Sequence, residues 1–306
     1  MNSTVNSFIV NLLNDKPITP DWEHIYQVFA ADALAVVGKR KSRLLQQTRL
    51  ILEILSREKI SIKEFYEEVE RTGKIPVLWA VIQLMAKERE LKIDPRVFSI
   101  LTFECRMMAS ACERNLSREI LGFFKQQSIT QSGAEFRQKM DSLITLPETP
   151  TDIWLRFHMD LEQWNYMFRA QMQAPLLRVL SDLFGVEHFV FLTRIFTDSV
   201  LVSANKFTPS GMPNEFTIWD SHAGGNQGIL QKLWTLITII IIKAVMHSMD
   251  LEHELTGSGD NQVLFVKLKK SPGLRALIDL TKANLKKAFI DVGLALKLEE
   301  NGSKVS

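Results

Sequence analysis

Hydrophobic positions recur every three or four residues over much of the chain, a pattern that predicts helices. The pattern covers 21–72, 166–203 and 272–292; helices are also predicted over 76–86 and 98–127, and one long buried helix over 228–249. This spacing places apolar side chains on one face of a helix, where they can pack against a core. The run 146–151 contains two prolines, interrupts the pattern and predicts a linker.

A different pattern begins at Ile153, where apolar and polar residues alternate. Period two predicts a strand with one buried face, and this strand runs directly into Asp160. Farther on, two apolar runs flank Gly259-Asp260-Asn261, whose residue types suit a tight turn. A hairpin is therefore predicted over 255–266 with Asp260 at its exposed tip, followed by a last strand over 294–298. Helices first and a mixed core afterwards indicate the α+β class.

Composition narrows the class of protein. The chain has 306 residues, of which 46% are hydrophobic and 24% charged, as in a folded globular protein. The net charge of +2 gives no overall basic signal for a polyanion. Two cysteines cannot form a disulfide framework, which favours a reducing compartment. The most apolar stretch, 233–242, is too short to span a bilayer, so no membrane association is predicted.

Asp160 and Asp260 are the first candidates for chemistry. Carboxylates on neighbouring strands could hold Mg²⁺ ions, since hard cations prefer oxygen ligands and usually connect protein carboxylates to substrate phosphates. An aspartate at a strand end is, however, more often a turn residue than a metal ligand. From spacing by itself, a structural role in a turn is therefore favoured over a metal site.

An ordered set of motifs changes that balance. Asp160–Asn165, Gly224–Thr235 and Gly259–Gln262 closely resemble motifs A, B and C of the RNA-dependent RNA polymerase in the large (L) protein of nonsegmented negative-strand RNA viruses, the Mononegavirales. Upstream, Lys87–Lys92 resembles motif F of that family, and downstream Gly293–Glu300 resembles motif D. Because Glu162-Gln163-Trp164-Asn165 follows the first aspartate, the rhabdovirus-like branch is the most similar. The likeness covers at least 87–300.

The resemblance implies both a fold and an activity. The expected fold is the fingers and palm of a right-hand polymerase, with an antiparallel palm sheet, flanking helices and no thumb in the sequence. A mostly helical fingers region with motif F would occupy 1–150, and a palm with motifs A to D would occupy 151–306. The implied activity is RNA-directed RNA synthesis from nucleoside triphosphates by a two-metal mechanism, serving viral transcription and genome replication.

The resemblance also assigns roles to individual residues. Asp160 and Asp260 would hold two Mg²⁺ or Mn²⁺ ions, with Asn261 as a neutral ligand at best, and Lys297 is a candidate general acid for the leaving pyrophosphate. The residues expected to bind the incoming nucleoside triphosphate, including ATP, are Lys87, Arg89, Lys92 and Asn165, the last at its ribose. Contact with the template is expected from the loop and helix residues Gly224, Gly225, Gln227 and Lys232.

Gln227 departs from the family pattern, in which a glutamate is usual at that position of motif B. The sequence also ends soon after motif D. From both features we expect the chain to be either a part of a viral large protein or the product of a virus-derived reading frame in a host genome. The alternative function is a catalytically silent, polymerase-like protein that binds RNA or a viral phosphoprotein.

The implied partners are RNA template and product, nucleoside triphosphates, a viral phosphoprotein and nucleoprotein-coated RNA. The expected location is the host cytoplasm and the virion, with the nucleus for some family members.

Overall fold

The computed structural model describes residues 17–25, 48–86, 97–204, 216–220, 222–225 and 228–301, and it combines helices with sheets. The α+β class is therefore confirmed. The strands in chain order are β1 Pro17–Ile18, β2 Thr48–Arg49, β3 Val81–Ala86, β4 Val97–Leu101, β5 Asp152–Glu162, β6 Val200–Ala204, β7 Phe216–Trp219, β8 His253–Ser258, β9 Asn261–Lys269 and β10 Ala295–Asn301.

The longer helices have the following bounds: α1 Leu50–Ser56, α2 Ile62–Thr72, α3 Phe103–Asn115, α4 Gly133–Ile144, α5 Ala170–Phe184, α6 Gln231–Ser248 and α7 Leu274–Asp291. Shorter helical turns lie at Leu116–Ile120, Leu121–Phe123, Trp164–Met167, Glu187–Thr193 and Arg194–Thr197. Among the helices within the described ranges, none is long and apolar enough to cross a bilayer.

Four segments predicted as helix contain strands. The helix predicted over 76–86 is wrong, because β3 occupies its second half. The strands β4 and β6 replace the ends of two other predicted helices, and β2 interrupts the helix predicted over 21–72. For β3 the reason is burial: Val81, Ile82 and Gln83 are consecutive and all buried. A strand covered on both faces shows a continuous apolar run instead of alternation, and periodicity cannot distinguish such a run from a buried helix.

The chain forms two compact units that are interleaved along the sequence. The first unit comprises 1–112 and 169–229, and the second comprises 113–168 and 230–306. The boundary predicted at residue 150 between fingers and palm stays a prediction.

In the first unit, a four-stranded sheet has the order β4-β3-β6-β7. The central pair β3 and β6 is parallel, and both outer pairs are antiparallel. Ile25, Val81 and Val202 form a buried apolar cluster in this unit. In this sheet β3 ends at Ala86 and β4 begins at Val97. The predicted motif F residues lie between these two positions in the sequence.

In the second unit, an antiparallel sheet has the order β10-β5-β9-β8. Along β5, Leu155, Phe157, Met159 and Leu161 are buried, whereas Asp160 between the last two is exposed. The alternation predicted from Ile153 is therefore confirmed. It leaves one face of β5 for the core and the other for polar side chains.

The N-terminus of α6 receives its cap from a residue distant in sequence. Leu230, at the N-cap position, has φ of 48° and provides no side-chain cap. Instead, the Glu113 carboxylate accepts hydrogen bonds from the backbone N–H groups of Lys232, at 3.0 Å, and Leu233, at 3.2 Å. A carboxylate here satisfies unpaired N–H groups and interacts favourably with the helix dipole.

We expect Glu113→Ala to lower the free energy of unfolding by about 1–3 kcal/mol, because it leaves two N–H groups of α6 without their acceptor. Urea unfolding followed by far-UV circular dichroism measures the effect. Glu119→Ala is the control, since Glu119 pairs with Arg118 at the surface. Equal stability of the wild type and Glu113→Ala would contradict the capping role.

Candidate active site

Asp160 lies near the end of β5, between two other strands of the sheet. Its Cα partner on β9 is Asn261, and its Cα partner on β10 is Lys297. Directly paired residues project from the same face of a sheet. The backbone therefore places a carboxylate, a carboxamide and an ammonium group in one row across three strands.

Asp260 occupies the turn that joins β8 to β9. Strand pairing ends at Ser258 and Asn261, so the turn consists of Gly259 and Asp260. Gly259 has φ of +62°, and glycine at the first of two turn positions is typical of the type II′ hairpin. The predicted hairpin is confirmed, although Asp260 is partly buried instead of fully exposed.

The strand register brings the two aspartates to the same end of the sheet. Asp160 is paired with Asn261, and Asp260 precedes Asn261 in the chain. With about 5.5 Å between paired Cα atoms and 3.8 Å between consecutive ones, the Cα atoms of Asp160 and Asp260 are at most roughly 9 Å apart. Side chains at this separation can converge on a pair of ions about 4 Å apart.

Hydrogen bonds and charge define the surroundings of these carboxylates. The Asn261 Nδ2 group donates to Asp260 Oδ1 at 3.1 Å. Lys297 Nζ lies 3.0 Å from Glu162 Oε1. Glu162, through its hydrogen bond and charge, and Asp160, through its charge, raise the pKa of Lys297 above its ordinary value. Lys297 is therefore protonated at neutral pH, as a proton donor must be.

A cleft of about 570 Å³ opens on the polar face of this sheet. Strand residues form one wall, including His158, Asp160 and Asn261, and α4 contributes Phe136 and Met140 to the lining. The remaining lining residues are Ser128, Met159, Thr256, Gly257, Ser258, Gln262, Val263, Lys297 and Glu299. Asp160 and Lys297 are therefore accessible from a concave space.

A partly buried lysine lies on the same helix as the two cleft residues Phe136 and Met140. Burial lowers the pKa of the Lys139 ammonium to about 8, and the attraction of Glu254 opposes this only in part. Between this value and the ordinary value of 10.5, the unfolded chain holds a proton that the folded chain has released. Stability therefore rises as the pH increases through this window.

Lys139 Nζ also donates a hydrogen bond to the Lys125 carbonyl oxygen, so Lys139→Met removes both a charge and a hydrogen bond. We expect the difference in the free energy of unfolding between the wild type and Lys139→Met to shift in favour of the wild type as the pH is raised from about 8 to about 10.5, because only the wild type loses an unfavourably buried charge in this window. Urea unfolding at both ends of the window measures it, with Lys286→Met at an exposed site as the matched control. If the difference in the free energy of unfolding between Lys139→Met and the wild type did not change with pH, burial of the Lys139 charge would be contradicted as its cause.

The carboxylates of this site suit metal ions that keep several of their ligands from water and substrate. Asp160 and Asp260 supply the carboxylates, and in the described part of the chain no group of three or more His, Cys, Asp or Glu side chains is arranged to hold a metal. Mg²⁺ is commonly held by one or two carboxylates together with water and substrate phosphates. Asp160 lines the open cleft, and Asp260 adjoins the lining residue Asn261 in the chain. This arrangement matches such a site and not a closed protein cage.

The other predicted site residues are distributed as follows. Asn165 is partly buried in the turn Trp164–Met167, and Lys232 lies in the first turn of α6. Gly224 and Gly225 are buried and belong to the first unit, where His222 Nε2 lies 3.2 Å from the Gly225 carbonyl oxygen. Lys87, Arg89, Lys92 and Gln227 lie outside the described residues.

Sequence reasoning missed the residues that support the turn bearing Asp260. The Gly259 N–H donates to Thr235 Oγ1 at 3.0 Å, and Gln262 Nε2 donates to the Gly259 carbonyl oxygen at 3.0 Å. Thr235 and Gln262 both lie within the quoted motifs, but their types carry no signal of a long-range contact. Only the fold brings α6 to the hairpin.

Comparison with known protein families identifies the family of the chain. The family model described as Mononegavirales RNA dependent RNA polymerase matches residues 4–301. The chain belongs to this family. The suspected resemblance to the polymerase region of the L protein is thereby confirmed.

Individual relatives come from plant and animal rhabdoviruses. The chain is 28% identical, over 95% of its length, to RNA-directed RNA polymerase L of Maize mosaic virus, of which the match covers 16%. It is 30% identical over 74% of its length to RNA-directed RNA polymerase L of Lettuce necrotic yellows virus, covering 12% of that protein. It is 26% identical over 74% of its length to the large structural protein of rabies virus strain PM1503/AVO1, covering 11%. The chain thus spans about one sixth or less of the length of these relatives.

Proposed function

We propose that the chain catalyses RNA-directed nucleotidyl transfer from nucleoside triphosphates, as the fingers and palm of a right-hand RNA polymerase. The observation that carries this proposal is the register of the second sheet, with Asp160 paired to Asn261 and Asp260 beside it in a two-residue turn. Membership of the polymerase family supports it. The sheet β10-β5-β9-β8 corresponds to the palm in this proposal.

Asp160 and Asp260 would hold two Mg²⁺ or Mn²⁺ ions. Bound there, the ions would lower the pKa of the primer 3′-hydroxyl and stabilise negative charge on the leaving pyrophosphate. Asn261 orients the Asp260 carboxylate through its amide hydrogen bond and adds no charge of its own. Lys297, protonated and next to Asp160 in the strand register, would donate a proton to the pyrophosphate oxygen.

Substrate binding is assigned to the remaining motif residues. Lys87, Arg89 and Lys92 would neutralise the triphosphate, since guanidinium and ammonium groups pair well with phosphate oxygens. Asn165 would contact the ribose 2′-hydroxyl, the group that distinguishes RNA from DNA. The residues proposed to approach the template are Gly224, Gly225, Gln227 and Lys232.

The proposed biological setting is that of viral RNA synthesis. The protein would serve viral transcription and genome replication, with a phosphoprotein and nucleoprotein-coated RNA as partners. Its site of action would be the host cytoplasm and the virion.

Incubation of the purified chain with a primed RNA template, nucleoside triphosphates and Mg²⁺ or Mn²⁺ tests the proposal. We expect extension by the nucleotide complementary to the template, and a changed template base should change the nucleotide added. Binding of the RNA without any extension would contradict catalysis and would favour the silent RNA-binding alternative.

A further inference from the structure

A threonine hydroxyl of α6 hydrogen-bonds to the turn bearing Asp260. The Thr235 hydroxyl donates to the Gln231 carbonyl oxygen at 2.9 Å, within its own helix. Because its proton is used there, the lone pairs of Oγ1 are free to accept, and they receive the Gly259 N–H at 3.0 Å. Thr235 is fully buried, so water cannot replace this contact.

Gly259 is held on its other side as well. Its carbonyl oxygen accepts from Nε2 of Gln262, a buried residue. A Cβ at Gly259 would lie 3.6 Å from the Trp164 ring and 3.4 Å from Gln231 Nε2, so the turn is packed closely against neighbouring side chains. Both polar backbone groups and the packing of Gly259 are therefore determined by other elements.

The same helix also contacts the segment that follows Asp160. Trp164 Nε1 donates to Thr238 Oγ1 at 3.3 Å, and Thr238 lies one turn beyond Thr235 on α6. Trp164 packs edge-on against Trp234, with ring centroids 5.7 Å apart. Two buried threonines on one helix thus contact the chain just before Asp260 and just after Asp160.

We propose that Thr235 is a positioning residue for Asp260: by accepting the Gly259 N–H, it fixes the turn so that the Asp260 carboxylate faces the same ions as Asp160. This inference rests on the proposed nucleotidyl transferase function for its metal site. Thr235 itself touches neither metal nor nucleotide.

The substitution Thr235→Val isolates the contact, because valine keeps the β-branched shape and lacks the acceptor. Thr235→Ser retains the acceptor and is the conservative rescue. Thr281→Val is the matched control, since Thr281 is also fully buried in a long helix of the same unit and its hydroxyl donates to the helical carbonyl of Leu277. Thr235→Ala removes the acceptor without added volume and is the second variant, in case valine prevents folding.

Hydrogen exchange of the full chain tests the hydrogen bond between Gly259 and Thr235 without any metal. It is measured by mass spectrometry on peptides covering 255–265. We expect Thr235→Val to accelerate exchange in the turn by about tenfold or more, with little change in Thr235→Ser and Thr281→Val. Unchanged exchange in Thr235→Val and Thr235→Ala would overturn the inference.

Mn²⁺ affinity of the same variants, measured by electron paramagnetic resonance, separates positioning from simple structural support. Thr235→Val should weaken Mn²⁺ binding by about tenfold, and Thr235→Ser should retain it. Faster exchange with unchanged affinity would overturn the positioning role while leaving the metal site intact. Undiminished affinity in Asp160→Ala/Asp260→Ala would instead overturn the proposed function, whatever the exchange result.

Discussion

Asp160→Ala and Asp260→Ala are each expected to reduce nucleotide addition by roughly 10³-fold or more, because each removes one of the two carboxylates available to the metal ions. Asp160 is exposed on β5 and Asp260 lies in a turn, so neither truncation opens a cavity in the core. The fold should therefore remain intact. Primer extension with a single nucleotide, together with circular dichroism, measures both expectations.

Asp152→Ala is the matched control, since Asp152 begins the same strand and its carboxylate accepts hydrogen bonds from Thr149 and Thr151. It should retain activity within a few-fold. Full activity of either Asp160→Ala or Asp260→Ala would contradict the assignment of that aspartate. Loss of activity in all three variants would indicate a general effect of charge removal.

Trp234→Ala is expected to lower the free energy of unfolding by about 3–5 kcal/mol, a large part of the stability of an ordinary domain. Trp234 is fully buried in α6. Its ring stacks on Phe168 with centroids 5.0 Å apart and meets Trp164 edge-on. Truncation would leave a cavity in the centre of this aromatic cluster, and urea unfolding measures the loss.

Phe123→Ala provides the comparison for an aromatic residue at the surface. Its side chain is 84% exposed, so its removal should change stability by no more than about 0.5 kcal/mol. A small effect for Trp234→Ala, similar to that of Phe123→Ala, would show that the cluster is not part of the core of this unit.

The elements around the candidate site could largely be predicted from local sequence. The alternation from Ile153 matches β5, and Gly259-Asp260 forms the predicted hairpin turn. The long helix expected over 228–249 is observed as α6, and the predicted last helix and strand appear as α7 and β10. In β5 and α7 the pattern reports one buried face, in the hairpin a turn that suits glycine, and in α6 an apolar run long enough for a buried helix. All of these are local properties.

Three of the mispredicted strands, β3, β4 and β6, belong to one sheet and have consecutive buried residues. Residues 81–83 in β3 and 201–203 in β6 carry no alternation because neighbours cover both of their faces. The pairing of Asp160 with Asn261 and Lys297 also could not be predicted from spacing, since it depends on a register between strands distant in the chain. For the same reason, the contact between Thr235 and Gly259 had no sequence signal.

The central claim is that Asp160 and Asp260 form one cation site on the second sheet. Calorimetric titration of Mn²⁺ into the purified chain, with Asp160→Ala/Asp260→Ala and Asp152→Ala in parallel, tests it most directly. The account predicts saturable binding by the wild type and Asp152→Ala and its loss in the double variant. Equal binding by the wild type and the double variant, or no binding by the wild type, would contradict the account.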